Sequence, residues 1–171
     1  MAQADHRGIP VVLGSPGGRY EIPGGAWIEV LHRPDAGDQN TMADERVMVC
    51  RLHWRGWKIL FVSDAGWRTE RLMIESGRDL SADVIVAGRH RNDSSLGDNF
   101  LHAVKPRAII AGHADFPYAE RIPRGWAADC ERKGIRLFHQ GQTGAVSLVL
   151  HDDGSLEIQG FMDGSSLRLS R

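Results

Sequence analysis

Several features that would narrow the function at once are missing from this sequence. Lysine occurs only at Lys58, Lys105 and Lys133, so arginine carries almost all of the positive charge, and the net charge of the 171 residues is −1. A charge of that size does not by itself attract nucleic acid. No run approaches the ~18 consecutive apolar residues of a membrane span, and the N-terminus lacks the basic-then-apolar order of a secretory signal. We expect a soluble chain, cytoplasmic by default, without a transmembrane segment.

Cysteine is equally scarce. Cys50 and Cys130 fall within a predicted strand and a predicted helix, which is typical of small buried side chains rather than of a disulfide framework or a thiolate metal site. A hydrophobic content of 42% over 171 residues is enough for one core. We expect a single domain over 26–162, after an irregular lead-in rich in Gly and Pro at 1–25 and before a short tail at 163–171.

Apolar runs and turn residues predict the order of the elements. Strands are expected over 26–31, 47–54 and 57–63, the last two joined by a tight hairpin at Arg55-Gly56. Strand and helix then alternate, and a final hairpin closes the chain. The alternating strands are 83–87, 107–112 and 135–138, the helices are 67–76, the segment after Ser95 and 124–133, and the hairpin joins 145–151 to 155–161. This order predicts an α/β fold, a mixed β-sheet with covering helices on at least one face.

Three polar side chains follow predicted strands and are candidates for a site. Asp64 ends an apolar run, His90 follows the strand 83–87, and His113 follows the strand 107–112. Ligands of such sheets gather beyond the carboxyl ends of the strands, so these side chains are expected at one edge. Each also has a structural interpretation: Asp64 as a helix N-cap, and the histidines as surface or hydrogen-bonded residues.

The serines, tryptophans and arginines allow two interpretations as well. Ser95 and Asp98 have the spacing of a capping box, and Ser94 fits helix capping too. We interpret the tryptophans as core residues; the alternative is that they are stacking platforms for single-stranded DNA. The arginines contact phosphates or form solvated surface. The residues concerned are Trp54, Trp57 and Trp126, and Arg89, Arg91, Arg121 and Arg124.

The order of five short motifs resembles a known family. They are Val62-Ser63-Asp64, Ala82-Asp83-Val84-Ile85-Val86, Arg89-His90-Arg91-Asn92, Phe100-Leu101-His102-Ala103-Val104-Lys105-Pro106 and Gly141-Gln142-Thr143-Gly144-Ala145-Val146. They are similar to Thr-Gly-Asp, Ala-Asp-Val-Leu-Lys-Val, His-His-Gly-Ser, Phe-Leu-x-Ala-Val-x-Pro and the closing turn and strand of ComEC-type DNA-uptake competence proteins. The similarity covers 27–149 and lies in the second half of the family's metallo-β-lactamase-fold domain. It implies half of an αββα sandwich.

The resemblance also implies a metal site, which the sequence matches only in part. Asp64 takes the place of the family's metal-bridging carboxylate, and His90 that of a second ligand. The family's His-x-His-x-Asp-His cluster does not occur in this sequence, and Arg89 and Arg91 stand where the family has His and Gly. An intact homologue would hold Zn or Mn in a dinuclear centre, with about three protein ligands for each metal. We expect this chain to bind no metal stably by itself.

Three functions follow as hypotheses. The first is a degenerate, non-catalytic ComEC-like domain related to DNA uptake that binds DNA or assists a membrane channel domain. The second is an active phosphodiester hydrolase whose histidine cluster comes from a missing N-terminal segment or from a partner chain supplying the N-terminal half of the fold. The third is another hydrolase of the same fold, acting on a small phosphate or acyl substrate. A ComEC-like assembly would make the chain membrane-associated.

Overall fold

The structure is a computed structural model that describes residues 4, 6–34, 46–88, 95–116 and 121–171. The strands of this part of the chain are β1 Arg19–Ile22, β2 Ala26–His32, β3 Val49–Trp54, β4 Trp57–Ser63, β5 Val84–Ala87, β6 Ala108–Ala111, β7 Arg136–His139, β8 Val146–Leu150, β9 Leu156–Gly160 and β10 Ser166–Leu169. Its helices are α1 Trp67–Glu75, α2 Asp98–Val104, α3 Arg124–Arg132 and the single turn α4 Gln140–Thr143.

The strands form a mixed sheet, as the sequence predicts. A seven-stranded sheet has the order β1-β2-β3-β4-β5-β6-β7, and a three-stranded sheet has the order β10-β9-β8. Neighbours from β1 to β4 are antiparallel, whereas β4 to β7 run parallel. The parallel half results from strands that alternate with helices, because a parallel neighbour requires a crossover connection. The α/β class is therefore confirmed.

The hairpin between β3 and β4 is the clearest local prediction. Arg55 and Gly56 have φ values of 44° and 85°, the conformation of a two-residue turn whose twist matches that of the flanking strands. Trp54 and Trp57 are paired directly before and after the turn. The turn places the start of β4 in the sheet and so fixes the position of everything that follows β4.

Two hydrophobic clusters lie on the two faces of the large sheet. Alternate residues of β4 belong to different clusters, Ile59 to one and Leu60 to the other, as the two-residue period of a strand requires. Leu60 shares its cluster with the helical side chains Met73 and Phe100. Ile59 shares its cluster with residues of the small sheet, including Ile158. Helices thus pack on one face and the small sheet on the other.

Three elements lie outside the predicted pattern. β1 lies in the predicted lead-in and β10 in the predicted tail, so the sheets extend beyond the predicted limits of 26 and 162. Most of β1 is exposed, and it forms an edge strand through its ladder with β2 rather than through an apolar pattern. The third element is α4, which is too short to show a helical period. The segment 33–45, whose Pro, Gly, Asp and Asn residues predict a polar loop, lies mostly outside the described residues.

Candidate functional site

The carboxyl ends of β4, β5, β6 and β7 meet at one edge of the large sheet. Asp64 follows β4, Gly88 follows β5, Gly112 and His113 follow β6, and His139 ends β7. The parallel ladder continues past the strands, because Gly88 N–H donates to Ser63 O and Gly112 N–H donates to Ala87 O, both at 2.8 Å. The predicted edge therefore exists, and it brings Asp64 and His113 to the same end of the sheet.

Asp64 lies in a bend at the end of β4. Ser63 has a positive φ of 50°, and the register between β4 and β5 shifts between Phe61 and Ser63. Helix α1 takes Gly66 as its N-cap without a side-chain cap hydrogen bond, so Asp64 does not serve as the N-cap. Its half-buried carboxylate instead lies over Gly88, where a β-carbon on residue 88 would be 1.9 Å from Asp64 Oδ1. The side chain is aimed along the sheet edge.

The loop that follows Gly88 carries the second predicted ligand. His90, together with Arg89, Arg91 and Ser94, lies outside the described residues. Its convergence with Asp64 stays a prediction, as does the contact of the two arginines with phosphate.

His113 lies in a fixed hydrogen-bonded position. Its Nδ1 accepts a hydrogen bond from the Ile122 backbone N–H at 3.0 Å, so the proton of the neutral ring resides on Nε2. Nε2 is 3.5 Å from Asp115 Oδ1, and the His113 side chain is only 13% exposed, against 90% for Asp115. His113 therefore offers an N–H donor at the sheet edge.

His139 is a neighbour of His113 that the sequence analysis missed. The two ring centroids are 4.4 Å apart, with planes inclined by 44°. Burial lowers the pKa of His139 below its ordinary value of 6.5, and the neighbouring His113 acts in the same direction. Among the described residues, His139 Nδ1 has no hydrogen-bond partner. The signal was present, since residue 139 directly follows the predicted strand 135–138.

At this edge of the sheet, glycines expose their backbone where other residues would place side chains. A β-carbon on Gly141 would lie 2.6 Å from His113 Cδ2 and 2.9 Å from His139 Cε1. One on Gly112 would lie 3.4 Å from Ala87 O and 3.6 Å from the Gly88 Cα. The imidazoles can therefore pack against the backbone of residue 141, and the space between Asp64 and the histidine pair is not filled by side chains of residues 88 and 112.

The capping box predicted at Ser95 and Asp98 is wrong. The N-cap of α2 is Gly97, without a side-chain cap hydrogen bond. The carboxylate of Glu70, on α1, accepts hydrogen bonds from Leu96 N–H and, at 3.1 Å, from Gly97 N–H. A buried side chain from another helix thus binds the two backbone N–H groups that directly precede the first residue of α2. Ser95 has no assigned role in the site.

Two of the three tryptophans considered in the sequence analysis belong to the hydrophobic core. Trp57 is 1% exposed, and its Nε1–H donates to Gly154 O at 2.9 Å. Trp126 packs against the cluster on the helical face, and Trp54 is half-buried. The predicted core role is confirmed for Trp57 and Trp126.

The donors of the described residues do not fit a dinuclear metal centre. In that part of the chain, no three His, Cys, Asp or Glu side chains are grouped as metal ligands would be. Along the edge, the end of β5 lies between Asp64, which follows β4, and His113, which follows β6, and His139 lies one strand further, on β7. No reaction step through a metal is therefore derived for these residues.

Comparison of the chain with models of known protein families finds no match, and comparison with curated proteins finds none either. Among the described helices, none is long and apolar enough to cross a membrane.

Proposed function

We propose that this protein is a ComEC-like domain of metallo-β-lactamase fold, related to DNA uptake, that keeps one carboxylate of an ancestral metal site and is not an efficient nuclease on its own. The observation that carries the proposal is the placement of Asp64. Its carboxylate lies beyond the carboxyl end of β4 and over Gly88, where the next parallel strand ends. In the family, the metal-bridging carboxylate precedes the strand that leads to the paired histidines, which is the same order.

The packing of the sheet supports the fold assignment. Helices cover one face of the large sheet and a second sheet covers the other. Half of an αββα sandwich has a helical face and a face that packs on a sheet. The helices on one face of the large sheet would then correspond to the outer helical layer of that sandwich.

The chemistry of the site supports a loss of activity. Two-metal hydrolysis of a phosphodiester needs both metals to clamp the attacking and leaving oxygens, with about three protein ligands on each metal and one open position. Asp64 and His90 supply two ligands. Arg89 and Arg91 flank His90 in the sequence and would add repulsion toward a cation.

A second candidate is an active hydrolase whose remaining ligands come from another chain. The glycines favour it, because residues 88 and 112 add no side chains to the edge of the sheet that carries Asp64. In that case the partner is a chain with the histidine cluster, and the metal is Zn or Mn.

The deciding experiment is metal and DNA binding by the purified chain. Elemental analysis and calorimetric titration with Mn²⁺ and Zn²⁺ are expected to give less than one bound metal per chain. Cleavage of plasmid and single-stranded DNA with Mn²⁺ is expected to equal that of Asp64→Ala. Fluorescence anisotropy with labelled oligonucleotides then tests DNA as the partner, with salt-dependent binding expected.

A matched control is Asp152→Ala, which removes an exposed carboxylate from the turn between β8 and β9. Stoichiometric metal and Mn²⁺-dependent cleavage, both lost in Asp64→Ala and His90→Ala and retained in Asp152→Ala, would overturn the proposed inactivity. Absence of oligonucleotide binding would remove DNA as a partner.

A further inference from the structure

A cleft of about 1090 Å³ opens on the side of the large sheet next to α3. Its lining comes from the segment between β6 and α3, from one face of α3, from the edge strand β7 and from α4. A space of this size accommodates a small organic molecule. The lining residues used below are Arg124, Ala127, Ala128 and Glu131 on α3, Leu137 on β7, and Arg121 and Asp115 beside His113.

Opposite charges face this cleft from the two ends of α3. Arg124 is the first residue of the helix and Glu131 lies in its last turn. Seven residues separate them, which corresponds to about 10 Å along the axis. Between them the helix presents Ala127 and Ala128 to the cleft. The cleft therefore has a positive end, a negative end and a small-residue wall between them.

The orientation of these charges is unfavourable for the helix itself. A helix is stabilised by acidic residues near its N-terminus and by basic residues near its C-terminus, yet α3 has no acidic residue in its first turn. Arg124 and Glu131 are placed the other way round. Residues that destabilise their own helix or strand are expected at functional sites, where the function and not the stability accounts for them.

Within the part of the chain that the structure describes, neither charge is neutralised by an ion pair. Among the described residues, Arg124 and Glu131 form no ion pair. At the positive end, Asp115 Oδ1 lies 3.9 Å from Arg121 Nε, so those two charges offset each other and the charge of Arg124 remains. At the other end Arg132 pairs with Asp129 at 2.9 Å and does not line the cleft. Of the described residues that line the cleft, Arg124 and Glu131 are thus the basic and acidic side chains that take part in no ion pair.

We propose that this cleft binds a small zwitterion. An anionic group contacts Arg124, a primary ammonium contacts Glu131, and the chain between them lies along Ala127, Ala128 and the half-buried Leu137. The length of the helix between the two charges sets the separation of the ligand's charged groups at roughly 6–10 Å, allowing for the reach of the two side chains. The anion is a carboxylate or a phosphate. This site does not depend on Asp64 or on the proposed function.

The test is titration of the ¹⁵N-labelled protein with four probes, monitored by amide resonances. 6-Aminohexanoate and 6-aminohexyl phosphate carry both charges, whereas hexanoate and hexylamine carry one each. Saturable shifts are expected at Ile122, Ala127 and Leu137 with the two zwitterions, at a Kd at least threefold below that of either single-charge probe. The tighter of the two zwitterions identifies the anion.

Variants assign the two ends. Arg124→Ala is expected to weaken 6-aminohexanoate at least threefold and to leave hexylamine unchanged. Glu131→Gln is likewise expected to weaken 6-aminohexanoate at least threefold, but to leave hexanoate unchanged. Arg132→Ala, on the same helix but outside the cleft, should change neither affinity. The exchange variant Arg124→Glu/Glu131→Arg should restore zwitterion binding. Equal affinities for zwitterions and single-charge probes, no saturable shift, or binding that both single variants leave unchanged would each overturn the proposal.

Discussion

The Asp64 carboxylate packs so closely on the backbone of Gly88 that a β-carbon on residue 88 would clash with it. A β-carbon on residue 88 would lie 1.9 Å from Asp64 Oδ1, 3.1 Å from its Cγ and 3.2 Å from Ser63 O. The two residues follow adjacent parallel strands, β4 and β5, so this contact joins the ends of two elements that are 24 residues apart in sequence, from 64 to 88. Glycine at residue 88 is thus what lets the carboxylate stay at the sheet edge.

The first prediction is that Gly88→Ala displaces Asp64 and destabilises the protein. The Asp64 side chain must leave its position, and Ser63 O, 3.2 Å from the added carbon, cannot easily move; together these give an expected loss of about 1–2 kcal/mol, as for other overpacked sites. Urea unfolding measures the loss. In an Asp64→Ala background the same substitution should cost less, because the clashing oxygen is gone.

The control for this prediction is Gly125→Ala. A β-carbon on Gly125 meets nothing within 4 Å, and the residue lies inside α3, so alanine should stabilise the helix by about 0.5–1 kcal/mol. Equal costs of Gly88→Ala with and without the Asp64 side chain would show that the carboxylate does not hold the position described.

The second prediction concerns Glu70, which holds the start of α2 from α1. Glu70→Ala removes the acceptor of the Leu96 and Gly97 N–H groups and leaves buried donors unsatisfied, with an expected cost of about 2–4 kcal/mol. Glu70→Gln keeps one acceptor oxygen and should cost less. Hydrogen exchange of the first turn of α2 should accelerate before that of β5.

Glu75→Ala is the matched control. This carboxylate lies on the same helix, but it is 60% exposed, and its contact with Arg71, at 3.5 Å, is an ion pair on the surface. It should cost less than about 0.5 kcal/mol. A loss as small as this in Glu70→Ala would mean that the loop before α2 finds other acceptors.

The elements that sequence reasoning predicted are those whose signal is local. Arg55-Gly56 fixes its hairpin through backbone conformation alone, and helix α1 ends where Gly77, with φ of 66°, follows it. Strand β1 has no apolar alternation of its own and exists through its ladder with β2. β10 contributes only Leu169 to the buried core. Such strands depend on partners that are specified elsewhere in the chain, so their own residues do not predict them.

The same distinction applies to the site. Asp64 and His113 were found because each directly follows an apolar strand, and that rule also covers His139, which was overlooked at the end of β7. The role of Glu70 could not be predicted from the sequence, since it depends on where α1 lies relative to α2. Ser95 had the right spacing for a cap, but Leu96 and Gly97 turn away from it toward Glu70.

The third prediction is a loss of stability below neutral pH that depends on His53. Its ring stacks on Trp27 with centroids 3.6 Å apart. Burial lowers the pKa of His53 below its ordinary value of 6.5, with Arg51 and Lys58 acting in the same direction and Glu29 opposing them. The unfolded chain therefore binds more protons than the folded protein as the pH falls through 6.5. This part of the stability is complete above pH 6.5 and is lost as the pH falls through the folded pKa.

Urea unfolding between pH 7.5 and 5.5 measures this effect. The native protein should lose stability over the interval, and His53→Gln should lose less, because the group that titrates differently is gone. The remaining slope is expected from His139, whose pKa is lowered as well. His102→Gln, at an exposed position of α2, is the control and should match the native slope. A His53→Gln slope equal to the native one would contradict the prediction.

The fourth prediction is that Arg51 contributes more to stability than any exposed ion pair of the protein. Its side chain is 5% exposed and donates to Glu29 Oε2 at 2.7 Å, to Asp79 O at 2.8 Å and to Ser81 O at 2.9 Å. Arg51→Met keeps most of the volume but removes the donor of Asp79 O and Ser81 O and leaves Glu29 with His53 Nε2, at 3.2 Å, as its remaining partner. Because Glu29 is still 20% exposed, we expect a loss of about 2–3 kcal/mol, below the range for fully buried pairs.

A double variant separates the charge of Glu29 from the two carbonyl oxygens that Arg51 also contacts. Glu29→Gln in the Arg51→Met background should recover part of the loss, since it removes the carboxylate that has lost its Arg51 partner, whereas Asp79 O and Ser81 O stay without that donor. Arg132→Met is the control, because Arg132 is 69% exposed in its pair with Asp129 and should cost less than about 1 kcal/mol. If Arg51→Met costs no more than Arg132→Met, then water must reach these acceptors, and the contacts of Arg51 do not fix the segment between α1 and β5 on β3.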